Sequence, residues 1–186
     1  AIESASSGAA AQEKLAQGNT AFAVKLYRQL GQAEGNTFFL SYSVSSAIGM
    51  TYGGARGNTA QEIKDALHFQ LDQADLHPAF KHLNETLAAA AGKTGQKLNI
   101  ANALVLTGGD VSKAYKTILT SYYDAEVFPG GLDAINGWVK QKTEAKIEKI
   151  LDKLDPDSVC VILNAIYFKG IWERQFDKSR TEDAPF

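Results

Sequence analysis

The chain has little of several residue types. Its 186 residues include a single cysteine (Cys160), a single methionine, three histidines and four prolines. One cysteine cannot close an intrachain disulfide, so the fold is not a disulfide scaffold. Inside the apolar run 159–163, Cys160 reads as a small buried hydrophobe. No apolar stretch approaches the roughly 20 residues of a membrane span. Neither charge sign is in excess: 19 Lys and Arg against 21 Asp and Glu leave a net charge of −2. That balance argues against nucleic-acid binding as the main task, since phosphate neutralisation draws on a basic surplus. Residues 1–11 are small and polar, with no charged start followed by an apolar stretch, and read as a flexible segment rather than a signal peptide.

What is present describes an ordered globule. Hydrophobic residues make up 45%, charged residues 22% and aromatic residues 10% of the chain. A chain of this size buries roughly 70% of the surface it exposes when unfolded. Length alone predicts one ordinary domain.

Helical spacing of Leu15, Phe22, Leu26 and Leu30 predicts an amphipathic helix ending at Gly31. The short apolar run 36–40 reads as a strand. Residues 43–52, with Ala47, Ile48 and Met50 among Ser45, Ser46 and Gly49, predict a buried helix that neighbouring backbones approach closely. Thr59 and Glu62 have capping-box spacing ahead of Ile63, Ala66 and Leu67. Leu76, Phe80, Leu83 and Leu87 mark a further helix closed by Gly92. Residues 98–107 alternate with Leu98, Ile100, Asn102, Leu104 and Leu106 on one face, a strand pattern. Tyr115, Ile118, Leu119 and Tyr122 predict a helix, residues 125–128 a short strand, and Ile135, Trp138 and Val139 another helix. The nearly continuous apolar run 159–168 reads as a strand covered on both faces.

Catalytic and ligand motifs fail on inspection. Gly92-Lys93-Thr94 matches the end of a phosphate-binding loop, but Leu87 stands where the motif needs glycine, and a helix rather than a strand precedes it. Gly53-Gly54-Ala55-Arg56-Gly57 joins two helices without dinucleotide-loop spacing. His77 and His82, five residues apart, diverge by about 140° around a helix. His68 with Cys160 would be a base and a nucleophile, yet a thiol inside an apolar strand is poorly accessible and has a raised pKa. Lys81 and Lys93 are too few to make a polyanion groove. Asn84-Glu85-Thr86 is a glycosylation sequon. No catalytic, cofactor or metal residues are assigned. Asn164 is different: it interrupts a buried strand, where an unpartnered amide costs roughly 1–3 kcal/mol, so it must be hydrogen-bonded.

The order of several segments carries a resemblance. Asn36-Thr-Phe-Phe, then Ser43-Val-Ser-Ser-Ala-Ile-Gly-Met-Thr-Tyr-Gly-Gly-Ala-Arg-Gly-Asn-Thr-Ala-Gln-Glu-Ile, is similar to the second- and third-helix region of the serpin family. Leu98-Asn-Ile-Ala-Asn-Ala-Leu resembles the second strand of that family's central sheet A. Ile135-Asn-Gly-Trp-Val, Thr143-Glu-Ala-Lys-Ile and Leu163-Asn-Ala-Ile-Tyr-Phe-Lys-Gly-Ile-Trp-Glu, followed by Phe176, Thr181 and Phe186, match in order and spacing. The resemblance runs from about residue 12 to the end and covers the N-terminal half of the family's length.

It implies an α+β serpin fold, with helices packed on antiparallel and mixed sheets, for residues 12–186. The implied function is suicide inhibition of a serine or cysteine protease. A reactive loop, not contained in this chain, is cut and inserts into sheet A, so the protein is a two-state mechanical device rather than an enzyme. The alternative is a non-inhibitory carrier or folding helper. Ser43 and Asn164 match the family's shutter, the hydrogen-bonded cluster beneath the point where the sheet parts. Trp172 matches the breach, where insertion begins. The helix around 135–143 corresponds to one lying across sheet A. Two positions depart from the pattern: Leu40-Ser41 replaces Ser-Pro, removing one shutter hydroxyl, and Ala145 replaces a common glycine. The implied partners are a target protease and the C-terminal remainder of the same protein, with no nucleic acid, membrane or polyanion. The implied setting is secreted or periplasmic, with the cytoplasm as the alternative.

Overall fold

The structure, a computed structural model, describes residues 2–32, 34–93 and 95–183. Six helices surround a three-stranded sheet. In chain order they are α1 (Ile2–Leu30), α2 (Ser41–Gly54), α3 (Gly57–Ala66), α4 (Gln73–Lys93), β1 (Lys97–Leu106), α5 (Lys113–Tyr123), β2 (Glu126–Pro129), α6 (Leu132–Lys142) and β3 (Cys160–Lys169). A 3-10 turn follows at Lys178–Arg180. The sheet order is β2-β1-β3, with β1 parallel to β2 and antiparallel to β3. This is the α+β arrangement expected.

The alternation in β1 separates two cores. Leu104 faces a cluster built from α1, α2, α4 and α5, containing Leu15, Met50, Tyr52, Leu76, Phe80, Leu119 and Tyr123. Ala101, Ala103 and Val105 face the other way, onto Ile135, Trp138 and Val139 of α6 and onto Leu163 and Ala165 of β3. The sheet therefore has a thick helical layer on one face and α6 on the other. The small residues of α2 make the thick layer possible. A Cβ at Gly49 would lie 2.9 Å from the Phe80 ring and 3.1 Å from the Tyr123 hydroxyl, so only glycine admits this approach.

Several expectations are corrected. Residues 2–11, read as a segment apart from the first helix, are continuous with α1. Residues 36–40 form no strand: they join no strand of the sheet among the described residues, the Leu40 carbonyl instead accepts from the Val44 amide at 3.2 Å as α2 begins, and Phe38 is 98% exposed. The Thr59–Glu62 capping box is absent, because α3 starts three residues earlier; its N-cap is Arg56, without a side-chain cap, and Glu62 accepts from Asn58 Nδ2 at 2.7 Å. A capping box does not form when the chain turns helical ahead of it. β3 is packed on both faces as expected, with Ile162 on the helical side and Leu163 and Ala165 on the α6 side, but it is an outer strand of the sheet and its end is exposed at Phe168. Cys160, at its start, is half-buried rather than fully buried. Phe186 and Thr94 lie outside the described residues.

Candidate functional site

Asn102 and Asn164 sit directly opposite each other in the antiparallel β1–β3 register. Both side chains point to the helical face, because both are in phase with Leu104 and Ile162. Cross-strand partners lie within side-chain reach, and Asn164 Nδ2 donates to Asn102 Oδ1 at 2.8 Å. Ser43, in the first turns of α2, donates its hydroxyl to Asn164 Oδ1. Asn102, only 2% exposed, passes the chain on by donating from Nδ2 to the backbone carbonyl of Tyr123 at 2.8 Å. The result is a relay, Ser43–Asn164–Asn102–Tyr123, tying α2 to two strands and to the end of α5. Asn164 has the partners its position demanded.

Tyr123 closes α5 where Asp124 adopts a left-handed conformation, φ 49°, which turns the chain into β2. Its ring is buried and its hydroxyl lies 2.8 Å from His77 Nδ1. Burial raises the Tyr123 phenol well above its ordinary pKa. Burial also pushes Tyr115 up to about 12, and its hydroxyl donates to the Met50 carbonyl at 3.1 Å. These phenols act as neutral hydrogen-bond donors.

On the other face, α6 and the segment after it are fastened to the sheet. Asn136 Oδ1 accepts from the Ile150 and Leu151 amides at 2.9 and 3.1 Å, and its Nδ2 donates to the Leu151 carbonyl at 2.9 Å. Asn99 Nδ2 donates to the Lys142 carbonyl at 2.9 Å. Lys97 pairs with Glu144 at the surface. Glu144 and Ala145 both have left-handed backbones, φ 51° and 59°. Ala145 thus stands where the backbone favours glycine.

The sequence-predicted residues divide. Ser43 and Asn164 are brought into contact; Trp172 is not with them. It is 70% exposed after β3 and stacks edge-on with Phe176 at 5.6 Å. Asn102 and Tyr123 escaped the sequence reading. The only signal for Asn102 was an amide on the apolar face of a strand, the same signal that singled out Asn164. The sequon asparagine, Asn84, lies within α4 and accepts from the Tyr42 hydroxyl at 2.6 Å. Among the described residues, no three His, Cys, Asp or Glu side chains group as metal ligands, and no helix is long and apolar enough to cross a membrane.

The family description "Serpin (serine protease inhibitor)" matches residues 17–186. The chain belongs to the serpin family. It is 39% identical to Iripin-2 of Ixodes ricinus, over 94% of this chain and 47% of that protein. It is 37% identical to the leukocyte elastase inhibitor of Equus caballus, over 94% and 48%. The solved structure of cleaved kallistatin complexed with heparin superposes on this serpin chain with a TM-score of 0.87 at 29% identity, covering 94% of this chain and 55% of that one. The chain spans about half the length of the curated relatives it matches. Its kinship is with protease inhibitors, not with enzymes.

Proposed function

We propose that this chain is the N-terminal half of an inhibitory serpin that traps a serine protease by reactive-loop cleavage and insertion beside β3. The observation that carries the reading is the Ser43–Asn164–Asn102–Tyr123 relay. It ties α2 to β3, whose outer edge pairs with no strand among the described residues. A strand joining that edge gains a ladder of backbone hydrogen bonds. Parting the sheet there requires α2 and β3 to shift, and the relay is the polar link between them. In this reading Ser43 and Asn164 are the shutter, and Trp172 is an exposed breach residue where the loop enters. The partners are a serine-type protease and the remainder of the same protein, and the setting is secreted or periplasmic.

The test is incubation of the complete protein with trypsin-, chymotrypsin-, elastase- and subtilisin-like enzymes. The expected result is an SDS-resistant complex with at least one of them, and a large gain in heat stability after reactive-loop cleavage. Cleaved product alone with every enzyme, together with no gain in heat stability, points instead to a non-inhibitory carrier or folding helper.

A further inference from the structure

The relay does not stop at Tyr123. That residue accepts from Asn102 through its carbonyl and meets His77 Nδ1 through its phenol. His77 is 3% exposed, and its other nitrogen, Nε2, is buried without a hydrogen-bond partner. The ring is enclosed by Tyr52 of α2 and by Tyr122 and Tyr123 of α5, with centroids 6.2, 6.1 and 5.7 Å away. The α2 backbone closes the Nε2 side: a Cβ at Gly53 would lie 3.3 Å from that atom. The charged group bearing on the ring is a cation, Arg56, in the α2–α3 connection. Among the described residues no carboxylate offsets it.

We infer that His77 is a proton-sensitive latch on the relay: protonating its ring loosens Tyr123 and, through it, the Asn102–Asn164–Ser43 connection between α2 and the sheet. The stereochemistry follows from donor counting. Neutral imidazole has one acceptor nitrogen, whereas the protonated ring has none and donates from both. Nδ1–H then needs the Tyr123 oxygen as its acceptor, which turns the phenol proton toward the apolar core. Nε2–H stays buried and unpartnered, now carrying charge beside Arg56. The buried pair resolves this by opening. Burial first, and Arg56 second, hold the His77 pKa down at about 4 from 6.5. Because the folded value is depressed, the stabilisation from neutral His77 is complete above pH 6.5. It is lost progressively as pH falls toward 4.

The inference rests on reading the relay as the point where the sheet is held shut, so its test uses a readout that needs no protease. Amide hydrogen exchange by mass spectrometry, corrected for intrinsic rates, is measured on the complete protein at about pH 7 and pH 5. In the wild type, opening of residues 113–128 and 160–169 rises on acidification, by up to about twentyfold if opening fully exposes His77. In His77→Gln, which can still accept from Tyr123, and in His77→Phe, that rise falls below about twofold. The inference is overturned by an equal rise in both variants, by no rise in the wild type, or by a rise confined to α4. Should neither variant fold, NMR of the wild type decides. The His77 ring and the Asn102 and Asn164 side-chain amides then share one titration midpoint below pH 5.5, and separate midpoints overturn the coupling. An intact exchange pattern in a protein that forms no protease complex refutes the inhibitory reading and leaves the latch standing.

Discussion

Ser43 and Asn164 show what a single polar residue in an apolar strand reveals. An amide there must be satisfied, and the demand was readable from residues 159–168 alone. Its satisfier was not, because Asn102 lies 62 residues away and reaches Asn164 only through strand register. Asn102→Ala removes the acceptor for Asn164 Nδ2 and the donor to the Tyr123 carbonyl together. Two interior polar groups are left unpaired, so the complete protein is expected to lose about 2–3 kcal/mol, read as a lowered urea midpoint. Leu40 is the reverse case. It caps α2 without a side-chain hydrogen bond and is 44% exposed, so Leu40→Ser supplies an N-cap acceptor at little loss of burial. The expected gain is about 0.5–1 kcal/mol, read as a higher melting temperature.

The helices were legible as elements because apolar spacing and small-residue patterning are local. α2, α4, α5 and α6 all form where periodicity predicts them, and β1 and β3 where alternation and the apolar run do. The errors lie where an element depends on something outside itself. Residues 36–40 have strand composition but no strand to pair with among the described residues, and α3 begins at Gly57 despite the better cap at Thr59. The segment after α6 has no regular structure, and Asn136 holds it by three hydrogen bonds to the backbone of Ile150 and Leu151. Leu151 and Leu154 thereby reach the α6-side core. Asn136→Ala leaves those backbone groups to solvent, at an expected cost of about 1–2 kcal/mol. Hydrogen exchange should rise selectively over residues 147–154, with β1 unchanged; a uniform rise over the whole chain contradicts this fastening role.

At the scale of the molecule, the apolar surface is the telling feature. Phe38, Phe168, Ile171, Trp172 and Phe176 are each at least 60% exposed, and the outer edge of β3 pairs with no strand among the described residues. Residues 1–186 expressed alone are therefore expected to self-associate, read as oligomers by light scattering and a broad, irreversible melt. A monomer with a sharp reversible two-state transition contradicts this. The sequence by itself determined the family, the α+β class and the identity of most elements, because motif order, periodicity and alternation are properties of neighbouring residues. Only the tertiary structure decided which polar groups meet. Strand register set Asn102 against Asn164, the close approach of α2 put Ser43 beneath them, and the packing of α4 on α5 buried His77 against Tyr123. Each of these contacts joins residues dozens of positions apart, and no local pattern encodes a partner at that distance.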